Sequence, residues 1–313
     1  MEKEIIYELK SLYRDHLRIT GYHFGGNQKT VAIAGAFRGN EIQQLYICSQ
    51  IVKALKKLER DGRVSSEKGI LILPSANHYG MNIGKRFWAV DNTDINRMFP
   101  GYDLGETTQR IADGIFRAVK DYEYGIHFTS FYIPGNYVPH VRMMKTGFED
   151  VELAKKFGLP YVMIRDITPF DTTTLNYNWQ IWETKAFSLY TKETDRIDLV
   201  SANQAIEAVL RFLHDRGCID YPTYGGFLSR KVTEDMIEIV KTDNAGLFRC
   251  LVDIETNVKA GEILAEIVDP YEGHVISRVL APCDGMVFFH HDEPLVYQNT
   301  IAFQMIRMEA SYV

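Results

Sequence analysis

The feature that most constrains the fold is a series of short, largely unbroken apolar runs separated by amphipathic stretches. KTVAIAGAF (29–37), GILILPSAN (69–77), YGIHFTS (124–130), PYVMIRD (160–166) and KAFSLYT (185–191) each read as a strand without an alternating polar face. Such strands are buried on both sides, as in a parallel sheet covered by helices. The intervening segments supply those helices. Residues 41–60 predict one with Ile42, Leu45, Ser49, Val52 and Leu55 along one face, and 104–120 another with Ile111, Ile115 and Val119 inward. A short helix is expected near 149–157, and Ala202, Ala205, Ile206, Val209, Leu210 and Leu213 fit the helical period in a last one. The expectation is an α/β domain, its mostly parallel sheet flanked by helices.

Beyond about residue 220 the pattern changes to short alternating runs broken by AG, EG, DG and QN turns, which is an all-β texture. Its order resembles the barrel-sandwich modules of lipoyl and biotinyl carriers, without an evident lysine-bearing hairpin, so the module reads as structural. A chain of 313 residues is long for a single core. The expected division is an α/β domain over 1–219 and a β-rich domain over 220–313.

Charge and composition exclude several classes. A net charge of −6 offers no general attraction to nucleic acid or anionic membranes, so neither is expected as a partner. Lys53, Lys56 and Lys57 fall within one amphipathic helix and read as its solvated face. Cys48, Cys218, Cys250 and Cys283 form no CxxC pair, which fits small reduced residues of a cytosolic protein. The N-terminal MEKEIIYELKSLYRDH lacks the apolar core of a signal peptide, and no apolar run approaches the ~20 residues that span a bilayer. A cytoplasmic location is expected, and a homo-oligomer is left open.

Polar residues gather after the strands, where loops of an open α/β sheet build binding sites. Arg38 and Glu41 follow the first strand, and NHYGMNIGKRFWAVDNTDINRMFPG follows the second. His127 lies within the third, and PHVRM, with His140 and Arg142, comes soon after. Tyr190 closes the strand 187–191, with Glu193 just beyond. The run Asp91–Arg97 is too long for a simple turn. Its guanidinium next to a carboxamide, Arg97 beside Asn96, suits a carboxylate held by forked hydrogen bonds.

At these residues the chain resembles the succinylglutamate desuccinylase/aspartoacylase family of the zinc carboxypeptidase superfamily. DNTDINRMFPG resembles the family's Asp-Leu-Asn-Arg-x-Phe-Pro-Gly signature, RGNE its His-Gly-x-Glu metal motif, and GIHFTS its Asp-Leu-His-Thr. PHVRM and KAFSLYTKETDRID resemble later segments, the second being the strand that delivers a catalytic glutamate. The resemblance implies a zinc-carboxypeptidase-like α/β fold with a smaller barrel-sandwich-like domain. It also implies a Zn²⁺-dependent hydrolase that cleaves an amide in a small carboxylate-bearing molecule, an N-acyl amino acid or short peptide. Residue by residue it makes Glu41 and His127 metal ligands, Asn96 and Arg97 the substrate-binding pair, Asp94 the signature aspartate and Arg86 a neighbouring substrate arginine. Arg142 joins the substrate-binding candidates.

Three positions depart from the family pattern. Arg38 stands where the first histidine ligand belongs, and arginine gives up no proton to bind a metal. Tyr190 stands where the general base belongs, and a phenol of ordinary pKa near ~10 is a poor base at neutrality. Gly125 stands where an aspartate would orient the second histidine. Glu193 is a substitute candidate for the base. The third metal ligand is unassigned, with His78 and His140 both expected in loops near the site. Two readings stay open: a zinc-dependent amide hydrolase, and an inactive family member that binds a small carboxylate without metal. In the second, Arg38 pairs with Glu41 and forms a pocket with Arg97.

Overall fold

A computed structural model describes residues 1–11 and 15–308, and in it four of the apolar runs become the middle of a nine-stranded sheet while PYVMIRD lies one strand from its edge. In chain order the strands are β1 (Glu2–Leu9), β2 (Leu17–Gly25), β3 (Gln28–Ala36), β4 (Lys68–Ser75) and β5 (Tyr124–Phe128). After β6 (Asn136–Tyr137), which pairs elsewhere, come β7 (His140–Met144), β8 (Tyr161–Arg165), β9 (Lys185–Tyr190) and β10 (Arg230–Thr233). The spatial order is β1-β2-β4-β3-β5-β9-β7-β8-β10. β4, β3, β5 and β9 run parallel, whereas β2 runs antiparallel to β4, β1 antiparallel to β2, and β7 antiparallel to β9.

Side chains alternate across this sheet, and each face receives its own helices. Val31 and Ile33 of β3 pack with Ile47, Ile51 and Leu55 of α1 (Ile42–Arg60) and, further along, with residues near the chain's last helix. Ala32 and Ala34, one residue out of step, face the other layer. There α2 (His78–Asn82) precedes α3 (Thr107–Val119), whose Ile111 and Ile115 are buried as their spacing predicts. α4 (Val151–Ala154) is short, α5 (Leu175–Ile181) adds Leu175 and Trp179 to this second layer, and α6 (Leu199–Asp215) lies with α1 in the first. Apolar burial on both faces explains why these strands show no polar alternation.

Several expectations need correction. The buried face of α1 runs through Gln44, Ile47, Cys48, Ile51, Leu55 and Leu58, while Ser49 is exposed. Gln43 turns inward because its side chain bonds Ser201 Oγ and the Asp198 N–H, so polarity did not mean exposure there. His78 starts the α2 helix and His140 starts strand β7; neither is a loop residue. Lys53, Lys56 and Lys57 are exposed, and no helix among the described residues is long and apolar enough to cross a membrane.

The chain divides into two compact units, Met1–Ser130 with Pro139–Lys231, and Phe131–Val138 with Val232–Val313. The second is the all-β part. One of its sheets has the order β11-β18-β16-β13, built from Ile237–Lys241, Ile301–Arg307, Gly285–His290 and Asn257–Val258, and β6 pairs with its β16. The other has the order β15-β14-β12-β17, built from Val275–Leu280, Ile263–Val268, Gly246–Cys250 and Leu295–Val296. Leu264, Ile267, Val287, Phe303 and Met305 fill the core of this unit.

One glycine lets the turn after β3 reach its place. The Gly39 N–H donates to Arg86 O at 2.7 Å, and a Cβ there would lie 2.0 Å from Lys85 O and 2.6 Å from Gly80 C. Both obstacles are main chain and cannot swing aside. Gly39→Ala is expected to lower stability by about 1–3 kcal/mol, read from urea unfolding, as overpacking does elsewhere.

Candidate functional site

β3 ends at Ala36, and the chain turns so that Glu41 stands at the start of α1. Glu41 itself holds that turn. Its Oε2 accepts the main-chain N–H groups of Phe37 (2.8 Å) and Arg38 (2.9 Å). Its Oε1 accepts Arg38 Nη1 (3.0 Å) and Ser130 Oγ (2.6 Å). On the other side the Arg38 guanidinium donates from Nε (3.0 Å) and Nη2 (2.9 Å) to Asp94 Oδ2. Arg38 is 2% exposed and Glu41 1%, so these charges interact out of water. A buried arginine is tolerable there because two carboxylates and a hydroxyl match its donors.

His127, in β5, is fully buried beside this group, its ring 4.7 Å from that of Phe37. Its Nε2 has no hydrogen-bond partner among the described residues. Burial pushes its pKa down to about 3, the Arg38 guanidinium adds to the depression, and Asp94 opposes it. His127 is therefore a neutral imidazole. Behind it, a Cβ on Gly125 would lie 2.6 Å from the ring of Trp179, whose indole N–H donates to Val119 O at 3.1 Å. An aspartate at Gly125 has no room, because the indole fills that space.

The signature run continues from Asp94 into a 3-10 turn over Ile95–Arg97. Asp94 Oδ1 accepts the Asn96 N–H at 3.0 Å and Asn96 Oδ1 accepts the Leu175 N–H at 3.4 Å. Arg97 bonds Phe170 O and faces Asp171 Oδ1 at 3.7 Å, with its side chain 24% exposed. The joint Arg38–Arg97 pocket is thus not what this geometry builds. Arg38 is committed to Glu41 and Asp94, and Arg97 is turned toward Asp171. Arg86 meets the turn after β3 through its main chain, and its guanidinium lies 5.6 Å over the Phe87 ring.

Tyr190, His140 and Arg142 make a second group. The Tyr190 ring stacks on His140 at 5.0 Å with 1° between planes, and the Arg142 guanidinium lies 4.4 Å over it. His140 faces Tyr190 in register because β7 runs antiparallel to β9, an arrangement the sequence did not disclose. The segment holding Glu193 is tied down by Thr191 Oγ1 donating to Glu193 O at 2.9 Å and Gln43 N donating to Thr194 O at 3.0 Å. The sequence reading also missed Ser130, which only the end of GIHFTS could have suggested, and Asp171, which carries no local signal.

Residues 27–214, more than half of the chain, match the model of the succinylglutamate desuccinylase/aspartoacylase catalytic domain. The chain belongs to that family. A succinylglutamate desuccinylase from Silicibacter sp. TM1040 shares the fold with a TM-score of 0.81 and 18% identity, covering 96% of this chain and 93% of that one. The ectoine utilization protein EutE of Ruegeria pomeroyi, in a product-bound structure, gives 0.77 and 18%, with 94% and 90% covered. An aspartoacylase family protein of Mesorhizobium loti gives 0.77 and 18%, with 96% and 92% covered. No curated protein matches the chain in sequence. The family is one of desuccinylase- and aspartoacylase-type amide hydrolases acting on small carboxylate substrates.

Zinc is the metal the resemblance implies, and this donor set does not fit it. A metal ligand must aim a lone pair at the ion. Arg38 has none, and the Glu41 oxygens already accept from Phe37 N, Arg38 N, Arg38 Nη1 and Ser130 Oγ. His127 Nε2 alone is uncommitted, and the described residues contain no group of three His, Cys, Asp or Glu placed for a metal.

The depressed His127 pKa has a pH consequence. The unfolded chain binds this proton near the ordinary pKa of 6.5 and the folded chain only near about 3. Stability from this group is whole above that ordinary value and falls as pH drops toward the folded one. His127→Gln should flatten that acid-side loss, read as urea midpoints compared at about pH 7.5 and about pH 4.5.

Proposed function

We propose that this chain is a ligand-binding member of the desuccinylase/aspartoacylase family that works without zinc. It takes up a small carboxylate-bearing amide, of the N-acyl amino acid or short-peptide class, and does not hydrolyse it by the family's metal route. The observation that carries this reading is the Arg38 guanidinium seated between Glu41 and Asp94. A guanidinium supplies positive charge but accepts no water ligand, so it generates no hydroxide and polarises no carbonyl as a Lewis acid would. Glu41 is saturated with donors and is no base in this setting. Tyr190 lies under the Arg142 cation and against His140, a packed position rather than one poised for proton abstraction.

The carboxylate preference rests on Asn96 and Arg97, the part of the family signature that this sequence retains. Arg97 is the more accessible of the two, and a guanidinium paired to Asp171 at 3.7 Å is held in place without a tight fork.

One observation favours a second reading, a zinc-dependent amide hydrolase. The orphaned, buried Nε2 of His127 is what a metal site lacking its ion would leave behind. In that version Arg38 moves out and Glu41 and His127 close on the ion.

Metal analysis separates the two. Protein purified after growth with added zinc is expected to carry only trace metal, and N-acetyl-L-aspartate or N-succinyl-L-glutamate to raise its Tm without release of acetate or succinate. About one tightly held zinc per chain, lost on Glu41→Ala, would overturn the metal-free reading. Arg38→Ala should cost about 3–5 kcal/mol in urea unfolding, because it removes the buried cation paired with two carboxylates. If Arg38 were instead an obstacle to zinc, the same substitution would raise metal content.

A further inference from the structure

We propose that Asn176 and His127 are a pair that recognises the amide group of the ligand, with Asn176 taking its N–H. The proposal rests on the reading above, which brings a carboxylate-bearing amide to this site, and it names the residues that read the amide itself.

Two buried side chains carry it. Asn176 is 2% exposed, and neither its Oδ1 nor its Nδ2 has a hydrogen-bond partner among the described residues. His127 is 2% exposed, and its Nε2 is unpartnered among them too. A donor or acceptor taken out of water and left unpaired loses its hydration for nothing, so folded proteins keep few of them. The other carboxamides of the same helix show the contrast. Asn178 Nδ2 donates to Thr172 O (3.0 Å) and Thr174 O (2.9 Å), and Gln180 Nε2 donates to Met144 O (3.1 Å). Asn176 is thus the carboxamide of α5 that its own fold does not use.

The chain brings the two groups to one corner. Trp179 packs behind Gly125, and Gly125 and His127 lie two residues apart on one face of β5. Asn176 precedes Trp179 by three residues and shares its face of α5. α5 ends at Ile181 and β9 begins at Lys185, so the helix runs back against β9 and its parallel neighbour β5. A step back along the helix from Trp179 is therefore a step forward along the strand from Gly125, toward His127. The start of α5 is also tied to the signature loop, because the Leu175 N–H donates to Asn96 Oδ1 at 3.4 Å. Asn176 follows directly, between that loop and the strand of His127.

The chemistry of the pair suits an amide. A trans secondary amide carries its N–H on one edge and its C=O on the other, so it calls for an acceptor and a donor from two directions. The carboxamide oxygen of Asn176 is the acceptor. An imidazole with its proton on Nε2 is the donor. The Asn176 Nδ2 group remains for a second ligand oxygen. An ester of the same shape keeps the C=O and loses the N–H, so Asn176 is the member of the pair that separates the two.

Calorimetric titration of the full-length protein tests this. The probes are N-acetyl-L-aspartate and N-succinyl-L-glutamate, each beside the ester in which oxygen replaces the N–H. Wild type is expected to bind an amide at least about tenfold tighter than its ester. Asn176→Leu, close in shape but without polar atoms, and Asn176→Ala should each weaken the amide to the level of the ester and leave the ester no weaker. A readout without ligand accompanies this. Asn176→Ala should keep the wild-type urea midpoint, because it breaks no internal hydrogen bond, whereas Asn178→Ala, which loses two, should lower it. Equal wild-type affinity for amide and ester, or an amide preference that survives both Asn176 substitutions, would overturn the assignment while the carboxylate reading stands. A midpoint that falls as far in Asn176→Ala as in Asn178→Ala would make the carboxamide structural and overturn it as well. A wild type that binds none of these compounds overturns the carboxylate reading and the proposal with it.

Discussion

One buried cation organises the centre of this protein. The Arg38 guanidinium joins the turn after β3, the end of β5 and the loop carrying the family signature, through Glu41, Ser130 and Asp94. A metal ion could link the same elements, but it would also bring exchangeable coordination positions. A guanidinium brings direction and permanence: fixed donors, no open position and no dependence on supply. The site is assembled on the strand ends where α/β sheets place their chemistry, yet its cation faces inward to its own carboxylates.

The surrounding residues agree with that arrangement. Trp179 fills the space behind His127 next to Gly125, and His127 is held neutral by burial and by the neighbouring Arg38 cation. Tyr190 packs against an imidazole and a guanidinium. Arg38, Tyr190 and Gly125 thus each have a packing counterpart in the fold. Family membership gives the chain its architecture, and the particular side chains at the strand ends set the local chemistry.

Much of the fold was legible because its central strands are buried on both faces and therefore read as continuous apolar runs. The β1–β2 hairpin escaped notice because β1 is an edge strand carrying Glu2, Lys3, Glu4 and Glu8, largely exposed, so no core pattern marks it. The inward face of α1 was misjudged because Gln43 and Gln44 are buried with specific partners, which hydropathy alone cannot anticipate. The site followed the same rule. The Arg38–Glu41 pair could be read from its local spacing. Asp94 as the second partner lies 56 residues away in sequence, and only the folded loop brings it in. His140 could not be placed beside Tyr190 without knowing that β7 runs against β9.

The packing of Trp179 against Gly125 limits what can be built behind His127. A histidine placed at Arg38 would still leave the His127 imidazole with no carboxylate behind it, since the indole stands there. Placing one requires Gly125 and Trp179 to change together, and either change alone disturbs a buried core. The two positions therefore act as one: a single ring, lodged behind a histidine, fixes which chemistry that imidazole can be coupled to.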